Sequence, residues 1–399
     1  MRVAGHDVIH VPLYLPHFID GEDDSKTTPI FFGGVNVYLQ ERIPLLRHSP
    51  SWLDRPLDAR WLLRAVSHRT GSTSPHDLGA LTHSMLRGEM GHQRKELDRL
   101  INWLEKPEHR PDVVTLSNLL LIGMARELKQ RLGVRVICSL QGEESFLQDL
   151  PERWRKVCWD ETRARLGDVD HFVSPSQWFA DVMRGHLGGG LAPMTVIPNG
   201  IHPAEFKLSK QENRPPTIGY LARLCHLKGL PSLVRAFLTL GKMPEFAGWH
   251  LHLAGTITGD DRELMHALQK EIAAAGLTGR VEWSPDLAGE KKADFLAGCN
   301  LFSVPALYGE AFGLYLLEAW AAGVPVVQPH HAAFPELIEA SGGGWLYPPE
   351  DADGLTNALA AAMRDGEGRK TRGANGRKQT ETTWHIDRMA AQFLQCCAA

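Results

Sequence analysis

Short β-rich runs alternate with longer amphipathic segments along this chain, and that alternation restricts it to parallel sheets flanked by helices. A first set of strand-like runs comprises Asp7–Leu15, Asp112–Leu116, Arg135–Leu140, His171–Val173 and Thr195–Ile197. A second set comprises Thr217–Leu221, His250–Ala254, Val281–Trp283, Leu301–Val304 and Val324–Gln328. Between them, segments such as Leu230–Leu240, Arg262–Ala275 and Leu355–Arg364 carry apolar residues at three- and four-residue spacing, the period of a helix with one buried face. Two such sets, in a chain of 399 residues, predict an α/β protein of two doubly wound, Rossmann-like domains.

The predicted first domain is 1–195 and the second 196–380, with a helix at 381–399 able to cross back to the first. The break between the two domains falls near Ile197–Lys207 or in the polar, Pro- and charge-rich stretch Ser209–Pro216, which has linker composition. Gly366–Thr383 reads as a polar segment rich in Gly, Arg and Lys, and helical periodicity resumes at Trp384–Leu394. At the other end, Arg2–Val8 resembles a helix end, a glycine stop and then the second strand of such a domain. A first strand, loop and helix are expected before it, so a chain beginning here is expected to bind its ligand but to turn over poorly.

Composition excludes several functions. Lys and Arg total 43 against 47 Asp and Glu, a formal charge of −4 that gives nucleic acid no electrostatic footing. No run of about 18 apolar residues is present, so no membrane-spanning helix is expected. Peripheral membrane contact stays open. The first residues lack the long apolar region of a secretory signal, and six scattered cysteines fit free thiols, which together predict a cytoplasmic protein. No His, Cys or carboxylate spacing suggests a metal, and no cofactor is expected.

Chemistry concentrates in two segments. In Tyr308–Gln328, Glu310 follows a strand, Ala311, Phe312 and Gly313 open a helix running to about Ala322, and Gly323 and Pro325 close it. Free N–H groups at that helix start suit an anion such as a diphosphate, and Gly313 permits close approach. Glu318 sits in the same helix among Leu316, Leu317 and Trp320, where a carboxylate needs a partner. That partner is either a ligand with paired hydroxyls or a neighbouring Lys or Arg, unless the side chain simply points to solvent. In Ile218–Gly229, Arg223 and Lys228 follow a strand and precede a helix, which makes them either a diphosphate clamp or solvated loop charges.

Taken in order, Pro198–Ile201 (PNGI), Arg223 and Lys228 with Gly229, Leu253–Gly255, the Glu-x7-Glu element Glu310–Glu318, Ala321–Val327 and the Trp384 tail resemble the donor domain of retaining glycosyltransferases of family 4 with the GT-B fold. Glycogen and sucrose synthases are more distant relations of that family. The resemblance implies two domains facing a cleft and transfer of a hexose from a nucleoside-diphosphate sugar, with retained configuration, to a sugar, lipid or small-molecule acceptor. It implies Arg223 and Lys228 at the diphosphate, Glu310 at the sugar, backbone N–H groups of Ala311–Leu314 at sugar and phosphate, and Glu318 at the ribose. Ser284, within Trp283–Asp286, would lie near the base, and Gly200 would line the donor site. Glu310, Arg223 and Lys228 are the implied catalytic set. Ala222 departs from the family's usual glycine, and the Lys-x-Gly-Gly loop of glycogen synthases is absent.

The first half is matched less closely. Gly33-Gly34, Leu116–Asn118, Gln141–Glu144 and Ser174–Asp181 resemble a bacterial subgroup of the family. Gln141 and Glu143 are therefore candidate acceptor-side residues, Glu143 being either a base or acceptor ligand or a helix-start carboxylate. Gly33-Gly34 are either an acceptor loop or a turn. A nucleotide-sugar epimerase and a non-catalytic nucleotide-sugar-binding protein are the competing readings.

Overall fold

The structure, a computed structural model, describes residues 1–13, 29, 31–32, 37, 40–41, 75–209 and 214–398. The chain forms two compact units. One comprises Met1–Pro175, Ala180–Ile197 and Ala391–Ala399; the other comprises Ser176–Phe179 and Pro198–Ala390.

The first unit carries a four-stranded parallel sheet in the order β1 (Val113–Leu116), β2 (Arg135–Ser139), β3 (His171–Ser174), β4 (Met194–Val196). Its helices include α1 (Pro75–Leu86), α2 (Arg94–Leu104), α3 (Ala125–Leu132), α4 (Glu143–Asp149) and α5 (Glu152–Ala164), and α6 (Gln177–Leu187) begins in the second unit. The expected strand at Asp7–Leu15 does not form over its described residues. Residues 6–12 have no regular structure, and Leu13 makes a single parallel bridge to Phe31. Just before them, a 3-10 turn at Arg2–Ala4 ends on Gly5 at φ 84°, the glycine stop that the sequence suggests.

The second unit holds a six-stranded parallel sheet: β5 (Thr217–Leu221), β6 (His250–Gly255), β7 (Val281–Pro285), β8 (Leu301–Phe302), β9 (Val326–Pro329) and β10 (Gly344–Tyr347). Their spatial order is β10-β9-β8-β5-β6-β7. This is the doubly wound dinucleotide-type order, with its reversal between β5 and β8. Ile218, Tyr220, Leu251, Leu253, Leu301, Phe302, Val326 and Val327 are buried along the strands. A sheet covered on both faces selects such continuous apolar runs. The covering helices are α7 (Leu230–Leu240), α8 (Arg262–Ala274), α9 (Gly289–Ala297), α10 (Leu314–Ala321), α11 (Phe334–Ser341) and α12 (Gly354–Arg364). In α7, Leu230, Leu233, Val234, Phe237 and Leu240 are all buried, which is the face the spacing predicts.

Two features depart from the sequence pattern. β10 is a short extra strand beside a glycine run. Gly366–Glu381, expected as a polar segment, is helix α13. Its buried face is built from small residues: a Cβ on Gly373 would fall 2.1 Å from the Gly323 carbonyl oxygen, and one on Gly376 2.3 Å from the Trp320 ring. Close backbone approach thus replaces an apolar stripe, so no hydrophobic period announces the helix. Trp320 in turn stacks on Trp384 at 5.3 Å, fixing the chain that enters α14 (Ile386–Ala398). Among the described residues, no helix is long and apolar enough to cross a membrane.

Candidate functional site

In a doubly wound sheet, ligands bind beyond the C-terminal strand ends at the point where strand order reverses. Here that point is flanked by the loop 222–229 after β5 and the loop 303–313 after β8. The two loops are tied together at backbone level. Leu307 N–H donates to the Leu227 carbonyl at 2.9 Å. Gly229, at φ 72°, lets the chain pass so near the second loop that a Cβ there would lie 1.8 Å from the Pro305 carbonyl oxygen. Gly229 also caps α7, and Lys228 directly precedes it.

Lys228 reaches across the reversal point. Its Nζ lies 2.6 Å from Glu310 Oε2 and also contacts the Tyr308 hydroxyl. Tyr308 Oη donates to the same carboxylate oxygen at 3.0 Å, and Tyr315 Oη donates to it at 3.2 Å. Both rings flank the ammonium, with centroids 4.8 and 5.5 Å from Nζ, where a ring face attracts a cation. Burial of its hydroxyl, and then the Glu310 charge, hold the Tyr315 phenol well above its ordinary pKa, so it remains a proton donor. Glu310 and Lys228 are both mostly buried side chains, and each compensates the other's desolvation.

Glu310 leads into α10. Gly313 caps this helix at φ 89°, and a Cβ there would press within 3.1 Å of Leu316 and Phe334. The first N–H groups of α10 lack intrahelical acceptors and carry the positive end of the helix dipole. Ala311 and Phe312 are buried beneath them, with the Ala311 carbonyl accepting from Ser176 Oγ at 2.7 Å. Leu314 is exposed, as are Leu227 and Leu307 in the adjoining loops.

Arg223 is on the same β5 loop but turns another way. Its Nε donates to Asp261 Oδ2 at 3.0 Å and its Nη2 to Thr258 Oγ1 at 2.9 Å. Burial alone would raise the Asp261 pKa, but hydrogen bonds from Thr258 and Arg223 outweigh it and leave the carboxyl lowered. The loop after β6 approaches closely because Gly255, at φ 144°, packs on the Ala222 carbonyl, 1.7 Å from where its Cβ would be. The glycine at 255 thus makes room for the backbone at 222, not for its methyl group.

Residues 203–379 match the family described as glycosyl transferases group 1, and residues 82–205 match Glycosyltransferase Family 4. The chain belongs to the GT-B glycosyltransferases. Its relatives include a lipopolysaccharide core biosynthesis mannosyltransferase of Rhizobium meliloti, 31% identical over 50% of this chain and 58% of that protein. Glycogen synthase of Mycobacterium tuberculosis is 27% identical over 76% of this chain and 71% of its own. The chain therefore spans little more than half of the mannosyltransferase's length. Among solved structures, sucrose-phosphate synthase of Thermosynechococcus elongatus shares the fold with a TM-score of 0.65 at 21% identity over 76% of each chain. HepE of Anabaena, solved with UDP and glucose, does so at 0.62 and 18%, over 76% of this chain and 81% of HepE.

In this GT-B chain the remaining expected site residues fall out as follows. Glu318, in the second turn of α10, is paired: Lys292 Nζ of α9 lies 2.8 Å from its Oε1. The Lys partner that the sequence left open is therefore present. Ser284, at the end of β7, hydrogen-bonds the His252 ring at 2.8 Å. Gly200 is packed on the chain at His385–Ile386, and its N–H points to the Met389 sulfur at 3.2 Å, so its immediate role is to seat the C-terminal segment. In the first unit, Glu143 is buried and spends both oxygens on backbone N–H groups, of Leu119 and Gln141, each at 2.7 Å. Burial raises its pKa despite those bonds. Glu143 is the first residue of α4, with Gln141 exposed before it. Gly33 and Gly34 lie outside the described residues.

Sequence reasoning missed Tyr308, Tyr315, Asp261 and Lys292. Tyr308 and Tyr315 bracket the Glu310–Leu314 motif, so their proximity was available from the sequence. Nothing in the sequence links Arg223 to Asp261, 38 positions on.

Proposed function

We propose that this GT-B glycosyltransferase moves a hexose from a nucleoside-diphosphate hexose to an acceptor hydroxyl with retention of anomeric configuration. The observation that carries this reading is the Lys228–Glu310 contact across the reversal point, beside the start of α10. A cation, a bare helix tip and a carboxylate meet where the fold receives ligands. In the proposed reaction the bond between the anomeric carbon and the leaving phosphate oxygen breaks, the acceptor oxygen bonds to that carbon on the same face, and the acceptor's proton passes to the departing diphosphate. Negative charge grows on the diphosphate and positive charge on the sugar ring.

Lys228 and the first N–H groups of α10 are placed to receive the diphosphate charge. Such preorganised donors lower a barrier by several kcal/mol, on the order of 3–4 per donor removed in known cases. Arg223, anchored by Asp261 yet about half exposed, stands on the same loop as a second cation for the diphosphate. Glu310 holds hydroxyls of the transferred sugar and stabilises positive charge on the ring. Glu318 takes the ribose hydroxyls, sharing its carboxylate with Lys292, and the Trp283–Asp286 segment borders the base.

Relatives suggest which donors to try first: HepE is solved with UDP-glucose, and another relative is named a GDP-mannose-dependent mannosyltransferase. The test is a thermal-shift panel of UDP-, GDP- and ADP-hexoses, followed by assay of nucleoside diphosphate release with candidate acceptors. Binding raises the midpoint in proportion to the logarithm of ligand over Kd. A panel in which no nucleotide sugar shifts the midpoint overturns the reading.

A further inference from the structure

Glu310 is held asymmetrically. Three donors converge on Oε2: Lys228 Nζ at 2.6 Å, Tyr308 Oη at 3.0 Å and Tyr315 Oη at 3.2 Å. Among the described residues none donates to Oε1, and that oxygen is not among the buried atoms left without a partner. A carboxylate offers about four lone-pair sites over its two oxygens. With one oxygen saturated, the plane of the carboxylate is fixed and the other oxygen is left for a ligand.

The three donors differ in what a ligand does to them. Lys228 carries three protons on a flexible stem and turns readily toward an incoming diphosphate. Tyr308 borders that ammonium. Tyr315 projects from the first turn of α10, the turn that offers its free N–H groups, and its ring lies among Phe302 and Phe334 at 6.3 and 6.5 Å. It therefore ties the carboxylate to the helix tip through a side chain that packing holds still.

We propose that Tyr315 is a positioning residue, locking Glu310 so that Oε1 faces the donor's sugar in register with the diphosphate at the α10 start. The inference rests on the functional reading above and deepens it. Tyr315 touches neither sugar nor phosphate, and acts through Glu310. Its effect is therefore confined to ligands that carry the sugar.

The experiment is calorimetry on wild type, Tyr315→Phe and Tyr308→Phe with two ligand pairs, UDP against UDP-glucose and GDP against GDP-mannose. The phenylalanine keeps the ring packing and deletes one charge-assisted hydrogen bond. Tyr315→Phe is expected to weaken the sugar nucleotide roughly tenfold while leaving the matching nucleoside diphosphate unchanged. Tyr308→Phe, which also removes a hydroxyl in contact with Lys228, is expected to weaken both members of each pair, and Tyr315→His carries the test if Tyr315→Phe does not fold. In the Tyr315 variant, equal losses for both members of a pair, or no loss for either, overturn the inference and leave the functional reading standing. A wild type that binds no UDP-, GDP- or ADP-hexose overturns the functional reading, and this inference with it.

Discussion

Replacing Lys228 by alanine separates a binding role from a packing role. The substitution removes the ammonium 2.6 Å from Glu310 Oε2 and strands a carboxylate whose side chain is 15% exposed. Truncating one partner of a fully buried ion pair costs about 3–5 kcal/mol. Glu310 keeps the Tyr308 and Tyr315 donors and an accessible Oε1, so the expected loss is smaller, about 1–2 kcal/mol. For a unit of this size that lowers the midpoint by roughly 2–8 °C and leaves the chain folded at 25 °C. The effect on transfer is much larger: kcat/KM should fall by a factor on the order of 10²–10³, the typical cost of removing one preorganised donor to developing charge. The assay is nucleoside diphosphate release under single-turnover and steady-state conditions, with circular dichroism melts on the same samples. An alanine variant that melts lower but transfers and binds its donor like wild type would show that Lys228 serves only to neutralise Glu310.

The other expectations are as follows. Glu318→Gln should weaken nucleoside diphosphate and sugar nucleotide alike, by roughly tenfold in calorimetry, since a ribose contact is common to both. Asp261→Asn should flatten the acid limb of the stability profile. The wild-type carboxyl is lowered in the folded state, so its contribution is present above the unfolded value near 3.8 and is lost as pH falls through the folded value; denaturant melts from pH 2 to 6 read the difference. Gly229→Ala combines φ 72° with a 1.8 Å approach to the Pro305 oxygen, and should cost at least about 2 kcal/mol in a urea titration while also loosening Lys228.

Much of the second unit was legible because its chemistry is local. Thr217–Leu221 and Leu230–Leu240 read from the sequence coincide with β5 and α7. The glycines at 313 and 323 bound α10 with positive φ, as helix punctuation requires. The reversal of strand order, by contrast, is a long-range choice that periodicity does not encode. Helix α13 escaped because its packing face is largely glycine, and over the described residues Asp7–Leu13 the expected strand makes a single bridge, Leu13 to Phe31, so alternation of apolar residues did not by itself make a ladder there. The site was legible as a set of loop residues following strands. Their pairings were not: Lys228 with Glu310, Arg223 with Asp261 and Glu318 with Lys292 join positions 26 to 82 residues apart. Sequence spacing alone leaves each of these charges equally free to face solvent.

The most direct measurement is a crystal structure of the chain with the nucleoside-diphosphate hexose that stabilises it most. The account predicts phosphate oxygens within hydrogen-bonding reach of Lys228 Nζ and of the first N–H groups of α10, with Glu310 Oε1 on a sugar hydroxyl. Density for the diphosphate away from the β5–β8 reversal, with Lys228 and Glu310 still paired and untouched, would contradict it.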